Sequence, residues 1–354
     1  MCIVYTNYPR SEDGNTITTE APAATASVET LRERLSPLGD PYRYGSEACR
    51  EYAGIIERIR ELKAVRRAVI LAHNYQRPEI FEVADFVGDS LELSRRAESV
   101  DADVIVFCGV RFMAETAKVL NPRATVLIPD AGAGCTLADS VTAEALEERT
   151  AELKAAYPDL QVVTYVNTSA EVKAVSDVCC TSANAVRIVE AVPARHVLFV
   201  PDRNLAAYVQ NHTDKTVISW DGNCYVHHQI TPEQIRKVRG QIPGIRVLAH
   251  PECRHDVLEI ADAVLSTSGM ARYAKGSEAD KFLVVTECGL SDRLLLEVPE
   301  KQFFKACKLC AYMKMTTLEG TLDSLESMTH EVTVEEGVRL RAKRALDRML
   351  ELGA

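Results

Sequence analysis

A threefold internal repeat constrains the fold of this 354-residue chain more than any other feature. Short apolar strands end in polar residues at LAHNYQ (71–76), TYVNT (164–168) and LAHPEC (248–253). An aspartate follows each strand end at the same distance, and a hydroxyl residue stands five positions later; these are Asp85 and Ser90, Asp177 and Ser182, Asp262 and Thr267. The chain is therefore expected to contain three similar units.

The strands that follow support this register. Residues 103–108, 196–201 and 281–286 end 23, 24 and 24 positions after the aspartates, and a further strand follows at 125–130 and 216–221 in the first two units. Strands that alternate with helical segments predict parallel sheets, with ligands at the carboxyl ends of the strands. We expect an α/β fold of three homologous α/β/α domains with short parallel sheets around a pseudo-threefold axis, the alternative being three domains in a row with unrelated clefts.

The expected boundaries follow from the repeat. Residues 1–45 form a mobile N-terminal extension, because their first part is rich in Thr, Ala and Ser without apolar periodicity. The units span 46–140, 141–229 and 230–315, with C-terminal helices at 316–354 that pack near the first unit.

Charge and cysteine content narrow the class of protein. The formal net charge of −10 argues against nucleic acid or an anionic membrane as a partner. Eleven cysteines without a signal peptide indicate a reducing, cytoplasmic setting in which thiols serve metals or redox chemistry. No segment has the roughly 20 apolar residues of a transmembrane helix.

The repeated hydroxyls Ser90, Ser182 and Thr267 each precede a helical segment. As N-caps they would satisfy free backbone N–H groups of the helix. Alternatively, three helix N-termini that meet at one centre would bind a substrate with several negative groups.

One cysteine in each unit is a candidate metal ligand: Cys108, Cys224, and Cys310 or its neighbour Cys307. Cys135 is a rival to Cys108, because it follows the last strand of the first unit much as Cys224 does in the second, and Cys253 is a further rival. The C-x-x-C pair at 307 and 310 suits zinc, a redox pair or an iron–sulfur ligand. The chain has no P-loop motif for nucleotide binding.

Together these segments resemble the quinolinate synthase family (4Fe-4S, type A) from about residue 70 to 315. Besides LAHNYQ, TYVNTSAEVK (164–173) and HPEC (250–253), the resemblance rests on the following segments: GDSLELS (88–94), VFCGVRFMAETAK (106–118), PDAGAGCTLADS (129–140), CTSANAV (180–186), PDRNL (201–205), WDGNCYVH (220–227), STSGM (266–270) and CAYMKM (310–315).

The resemblance implies a transferase that condenses iminoaspartate with dihydroxyacetone phosphate in NAD biosynthesis, losing phosphate and two waters. It implies a 4Fe-4S cluster with one open iron, held by Cys108, Cys224 and Cys310. His73, Ser90, Asn167, Ser182, His250 and Thr267 would bind substrate, while Tyr75, Tyr165, His227 and Glu252 would line the reacting centre. L-aspartate oxidase is the expected upstream partner, since iminoaspartate hydrolyses readily.

The chain departs from the family pattern at Ala311, where the family has proline. Cys307 stays a rival ligand or a partner of Cys310 in a regulatory disulfide. Two alternatives stay open: another 4Fe-4S hydro-lyase that acts on a polycarboxylate, and a thiol-based iron–sulfur or redox sensor without turnover.

Overall fold

The computed structural model describes residues 27–353 and contains three four-stranded sheets in that range. The first unit comprises α1 (Val28–Leu35), α2 (Ser46–Arg66), β1 (Ala68–His73), α3 (Pro78–Phe81), β2 (Phe86–Gly88), α4 (Ser90–Ser99), β3 (Val104–Cys108), α5 (Arg111–Leu120) and β4 (Thr125–Leu127). The second comprises α6 (Ala143–Ala156), β5 (Gln161–Tyr165), α7 (Ala170–Ala174), β6 (Val178–Cys180), α8 (Ala185–Ala191), β7 (His196–Val200), α9 (Arg203–Gln210), β8 (Thr216–Ser219) and α10 (Tyr225–His228).

The third unit and the C-terminal segment complete the described chain. They comprise α11 (Pro232–Gln241), β9 (Arg246–Ala249), α12 (His255–Leu258), β10 (Ala263–Val264), α13 (Thr267–Gly276), β11 (Lys281–Val285), α14 (Cys288–Glu297), β12 (Gln302–Lys305), α15 (Leu318–Ser327) and α16 (Glu336–Leu352). None of the helices between residues 27 and 353 is long and apolar enough to cross a membrane.

The three sheets have the same strand order. They read β2-β1-β3-β4, β6-β5-β7-β8 and β10-β9-β11-β12, and every pairing between these strands is parallel. Equivalent residues of β3, β7 and β11 pair with the first strand of each sheet, as Cys108 with Ala72, Val200 with Thr164, and Val285 with Ala249. The expected α/β fold of three similar units is confirmed.

The repeated aspartates hold the same backbone bond in every unit. The carboxylates of Asp85, Asp177 and Asp262 accept the N–H groups of Ile70, Val162 and Val247 at 2.8, 2.7 and 2.7 Å. Each bond connects the end of one crossover to the start of the first strand, where a charged acceptor strengthens the bond. The aspartate that marks the repeat in the sequence is thus a structural residue.

One large hydrophobic cluster extends through all three units, and three smaller clusters lie beside it in the described chain. Leu71 of β1, Val163 of β5 and Leu248 of β9 are fully buried and belong to a single cluster of apolar side chains. Because parallel strands carry helices on both faces, their residues are apolar in nearly continuous runs. The units therefore pack against one another and are not separate domains in a row.

Three features differ from the sequence interpretation. Residues 28–35, assigned to the extension, form α1 and bury Leu31 and Leu35, while residues 1–26 lie outside the described residues. The strand β12 of the third unit was not predicted. Helix α15 packs on α2 of the first unit, whereas α16 packs mainly on α7 and β6 of the second.

Candidate active site

A cavity of about 690 Å³, measured with its open mouth, lies at the carboxyl ends of the strands of all three sheets. Parallel strands direct their carboxyl ends to one edge, where the loops that follow them carry binding groups. Of the predicted site residues, the following line this cavity: His73, Tyr75, Ser90, Tyr165, Asn167, Ser182, Cys224, His227, His250, Glu252, Thr267 and Cys310. Among residues 27–353, no lysine or arginine lines it.

Cys108 is the predicted site residue that the structure does not bring to the cavity. Successive residues of a strand face opposite sides of its sheet, and Cys108 shares the face of Val104 and Val106, which packs on α2 and α15. Its Sγ is buried 3.7 Å from Thr321 Oγ1, and burial raises the pKa of the thiol to about 12. The expectation that Cys108 joins Cys224 and Cys310 is therefore corrected.

Cys135 lines the cavity in its place. Cys135, Cys224 and Cys310 each follow the fourth strand of their sheet, and the backbone N–H three residues further on, that of Ala138, His227 or Met313, acts to lower the pKa of each thiol. One thiol from each unit thus reaches one space in the same local conformation. The matching position of Cys135 and Cys224 after their strands was the sequence signal for this choice.

Burial controls the protonation of these three thiols. It raises the pKa of Cys135 to about 12, that of Cys224 well above its ordinary value, and that of Cys310 in the same direction. Thiolates bind metals while thiols do not. A metal that enters this centre must therefore displace protons.

A disulfide joins Cys288 and Cys307. Cys307 is thereby paired with Cys288 at the start of α14 and not with Cys310, which stays free. The cysteines of residues 27–353 that stay free include the three at the cavity. Cys179, Cys180 and Cys253 are free and fully buried.

Glu252 lies between two histidines at the floor of the cavity. Its Oε2 is 3.2 Å from His227 Nδ1 and 3.1 Å from His250 Nδ1, and the two rings stack with centroids 4.7 Å apart. Burial works to raise the pKa of Glu252, but His227 and His250 lower it below its ordinary value. The carboxylate is charged, buried and able to accept a proton.

The hydroxyl of Thr286 connects His227, one of these two histidines, to Tyr75. Thr286, which follows β11, lies with its Oγ1 2.5 Å from Tyr75 Oη and 2.8 Å from His227 Nε2. Burial raises the pKa of the Tyr75 hydroxyl well above its ordinary value, and Glu252 raises it further. Tyr75 thus stays protonated and can donate a hydrogen bond, while burial lowers the pKa of His227 to about 4 and keeps its ring neutral.

The repeated hydroxyls are not N-caps. Helices α4 and α13 are capped by Asp89 and Ser266, which leaves Ser90 and Thr267 in the first turn with their hydroxyls at the cavity. Ser182 lies two residues before the N-cap of α8 and is 3.1 Å from His250 Nε2. Hydroxyls from all three units, two of them at helix N-termini, are therefore available to an anion.

His73 is the remaining predicted anion-binding group. It is almost fully buried, and burial together with the nearby His250 lowers the pKa of its ring to about 3. A neutral imidazole offers one N–H donor and no charge. Within the described part of the chain, ligand anions in this cavity would meet hydroxyls, imidazoles and helix ends, and no lysine or arginine side chain.

Comparison with known proteins gives a consistent result. The family model for the quinolinate synthetase A protein matches residues 57–351. The chain is 53% identical over 302 residues to quinolinate synthase 1 of Methanosarcina acetivorans, covering 85% of this chain and 98% of the relative. It is 50% identical over 325 residues to quinolinate synthase 2 of Mesorhizobium japonicum, covering 92% and 98%, and 50% identical over 324 residues to quinolinate synthase of Xylella fastidiosa, covering 91% and 94%.

Proposed function

The chain belongs to the quinolinate synthase family of enzymes, and on that premise we propose that it condenses iminoaspartate with dihydroxyacetone phosphate to give quinolinate, phosphate and two waters. The observation that carries this proposal is the cavity where the three units meet. This cavity is lined by one cysteine from each unit, by hydroxyls at helix starts and by a buried carboxylate between two histidines. Two anionic substrates that must lose water and phosphate require these groups.

The proposed metal-binding residues are Cys135, Cys224 and Cys310. Their donor set suits an iron–sulfur cluster, because thiolates are its usual protein ligands and three of them leave one iron open. When bound, a 4Fe-4S cluster with one open iron supplies a Lewis acid that polarises an oxygen of the substrate. Cys224 Sγ also lies within 4.8 Å of ligand atoms of His227 and Glu252, so acid–base groups border this centre.

Anion binding is assigned to the helix starts and to the histidines. Ser90 and Thr267 stand in the first turns of α4 and α13, where free N–H groups favour a negative charge. The Thr267 hydroxyl accepts a hydrogen bond from Asn74 Nδ2 at 2.7 Å, which leaves its own proton for a ligand oxygen. Asn167, whose buried Oδ1 has no partner among the described residues, adds a free acceptor for a ligand amine or hydroxyl.

Proton transfer is assigned to Glu252 and Tyr75. Glu252 Oε1 is buried without a hydrogen-bond partner in the described chain, so it is free to accept a proton from carbon or nitrogen of a substrate. The other oxygen, Oε2, lies 3.2 Å from His227 Nδ1 and 3.1 Å from His250 Nδ1. Tyr75, held protonated, donates toward a departing or developing oxygen anion, and Tyr165, buried beside the same cavity, encloses the reactants.

The test is an anaerobic assay of the iron- and sulfide-loaded protein. L-aspartate oxidase generates iminoaspartate from aspartate in the same vessel, dihydroxyacetone phosphate is added, and quinolinate is measured by mass. Quinolinate that forms only with the loaded protein supports the proposal. A loaded protein that forms none overturns it and favours a sensor without turnover or a different dehydration.

A further inference from the structure

Two fully buried carboxylates occupy equivalent positions after strands of two sheets, and one of them, Glu287, lines the cavity. Asp202 lies two residues after Val200, the end of β7, and Glu287 lies two residues after Val285, the end of β11. Val200 and Val285 occupy the same register in their sheets. Each carboxylate is also the N-cap of the helix that follows, α9 or α14.

In each carboxylate, one oxygen accepts a backbone N–H at the start of a helix and the other accepts the backbone N–H of a cysteine. Asp202 Oδ1 accepts the Leu205 N–H at 2.7 Å, and its Oδ2 accepts the backbone N–H of Cys224 at 3.1 Å. Glu287 Oε2 accepts the Gly289 N–H at 2.6 Å, and its Oε1 accepts the backbone N–H of Cys310 at 3.1 Å. The Lys314 ammonium group also lies 3.3 Å from Oε1 and 3.4 Å from Oε2.

Capping alone does not require these groups. Helices α6 and α15 are capped by the single hydroxyls of Thr142 and Thr317, and a buried carboxylate carries a desolvation cost that a hydroxyl avoids. A carboxylate has a second acceptor oxygen, and at both positions that oxygen is bonded to a cysteine. Because the second oxygen is bonded to a cysteine N–H in two units, these carboxylates do more than cap a helix.

The first unit has no carboxylate at the equivalent position. Val110, two residues after Cys108, holds the equivalent N-cap position of α5 and has no side-chain acceptor. The loop before Cys135 is attached instead through its backbone, with the Arg111 N–H bonded to the Ala133 carbonyl at 2.8 Å. The three cysteine loops are therefore fixed by two different means.

We propose that Asp202 and Glu287 are positioning residues that orient Cys224 and Cys310 toward the common centre through their backbone N–H groups, and that Cys135 is positioned independently of both. The inference rests on the proposed function for the identity of the group that the thiols hold. The orientation of the thiols is a property of the metal-free chain. Each bond is donated by a cysteine N–H to an oxygen of a buried carboxyl group, and a buried N–H that loses its only acceptor is costly to leave unpaired, so the bond can select one conformation of a short loop.

The experiment measures the alkylation rate of each cysteine in the metal-free, full-length protein by peptide mass spectrometry with N-ethylmaleimide. In Asp202→Ala, the rate at Cys224 is expected to rise about tenfold, since leaving a buried N–H without its acceptor costs about 1–3 kcal/mol. The rates at Cys310 and Cys135 should stay near their wild-type values. In Glu287→Ala, the rise should appear at Cys310 and not at Cys224.

Three further variants keep the test decisive. Asp202→Asn and Glu287→Gln retain the shape but offer one acceptor oxygen to two N–H donors, so smaller increases at the same cysteines are expected even if the alanine variants do not fold. Glu335→Ala removes a carboxylate N-cap of α16 that accepts two backbone N–H groups on the surface, and it should change none of the three rates.

Equal acceleration of all three cysteines, or of none, in the Asp202 and Glu287 variants would overturn the proposal. A second readout is the rate at which a chelator removes iron from the loaded protein, which should rise in Asp202→Ala and Glu287→Ala but not in Glu335→Ala. Alkylation is measured before any iron is added. Failure of quinolinate formation in the wild type would therefore refute the proposed function without touching this result.

Discussion

Replacing Glu252 by glutamine is expected to remove most of the turnover while the thiol centre stays intact. The carboxylate lies about 3 Å from two histidine nitrogens, at 3.2 and 3.1 Å, and its other oxygen is unpartnered in the described chain. An amide of the same shape cannot accept the proton. A positioned acid or base contributes about 10²- to 10⁴-fold, which corresponds to roughly 3–5 kcal/mol.

The same substitution should lower the melting temperature somewhat without unfolding the protein. The Glu252 side chain is 4% exposed, and the lowered pKa of its carboxyl shows that the charged form stabilises the fold at neutral pH, which the amide cannot do. Turnover is measured with the coupled assay at wild-type iron content, and melting by calorimetry. Glu259→Gln is the matched control, because Glu259 is an exposed carboxylate 3.3 Å from His255 Nε2. Turnover of Glu252→Gln within about twofold of the control would refute the assignment of Glu252 as a proton acceptor.

Two further predictions concern anion binding and pH. Ser90→Ala and Thr267→Ala should raise the KM for dihydroxyacetone phosphate with little change in melting temperature, whereas loss of the cap in Ser266→Ala should cost about 0.5–2 kcal/mol of stability; an unchanged KM in both hydroxyl variants would contradict the anion site. The pKa of His73 is lowered to about 3 from 6.5, so the unfolded chain binds more protons between these values. The stability that His73 contributes is complete above pH 6.5 and is lost as the pH falls toward 3. The stability of His73→Gln relative to the wild type, from denaturant titrations, should therefore rise by up to about 1.4 kcal/mol per pH unit as the pH falls; a pH-independent difference would show that the ring is not held neutral.

Most of the fold was predictable from the sequence because the repeat is carried by backbone-binding residues. Asp85, Asp177 and Asp262 accept backbone N–H groups near the starts of three equivalent strands. Their spacing in the sequence therefore indicates where each unit begins. The strand β12 was missed because QFFK is a short edge strand without alternation. Residues 28–35 were missed because a helix of eight residues gains its stability from tertiary packing, here through Leu31 and Leu35, and not from propensity.

The site was predictable where the repeat places a residue at a strand end, as with His73, Tyr165 and His250. Cys108 was wrongly chosen because its position at a strand end does not give the direction of its side chain, which the alternation along β3 turns toward α2 and α15. Thr286 was missed because a buried hydroxyl that bridges a tyrosine and a histidine leaves no signal in the sequence.

The roles of Asp202 and Glu287 were missed for a different reason. A carboxylate at the start of a helix looks like an ordinary cap, and its second bond, to a cysteine distant in sequence, is visible only in the structure.

The most direct test of the account compares Cys135→Ala with Cys108→Ala after anaerobic reconstitution with iron and sulfide. Cys135→Ala is expected to lose the intact cluster, measured by iron and sulfide content and by visible absorbance, because it removes one of three convergent thiols. Cys108→Ala should keep wild-type iron content and lose only about 1–2 kcal/mol of stability, from one buried sulfur and the small cavity it leaves. Full iron retention in Cys135→Ala, with loss in Cys108→Ala, would contradict the centre described here.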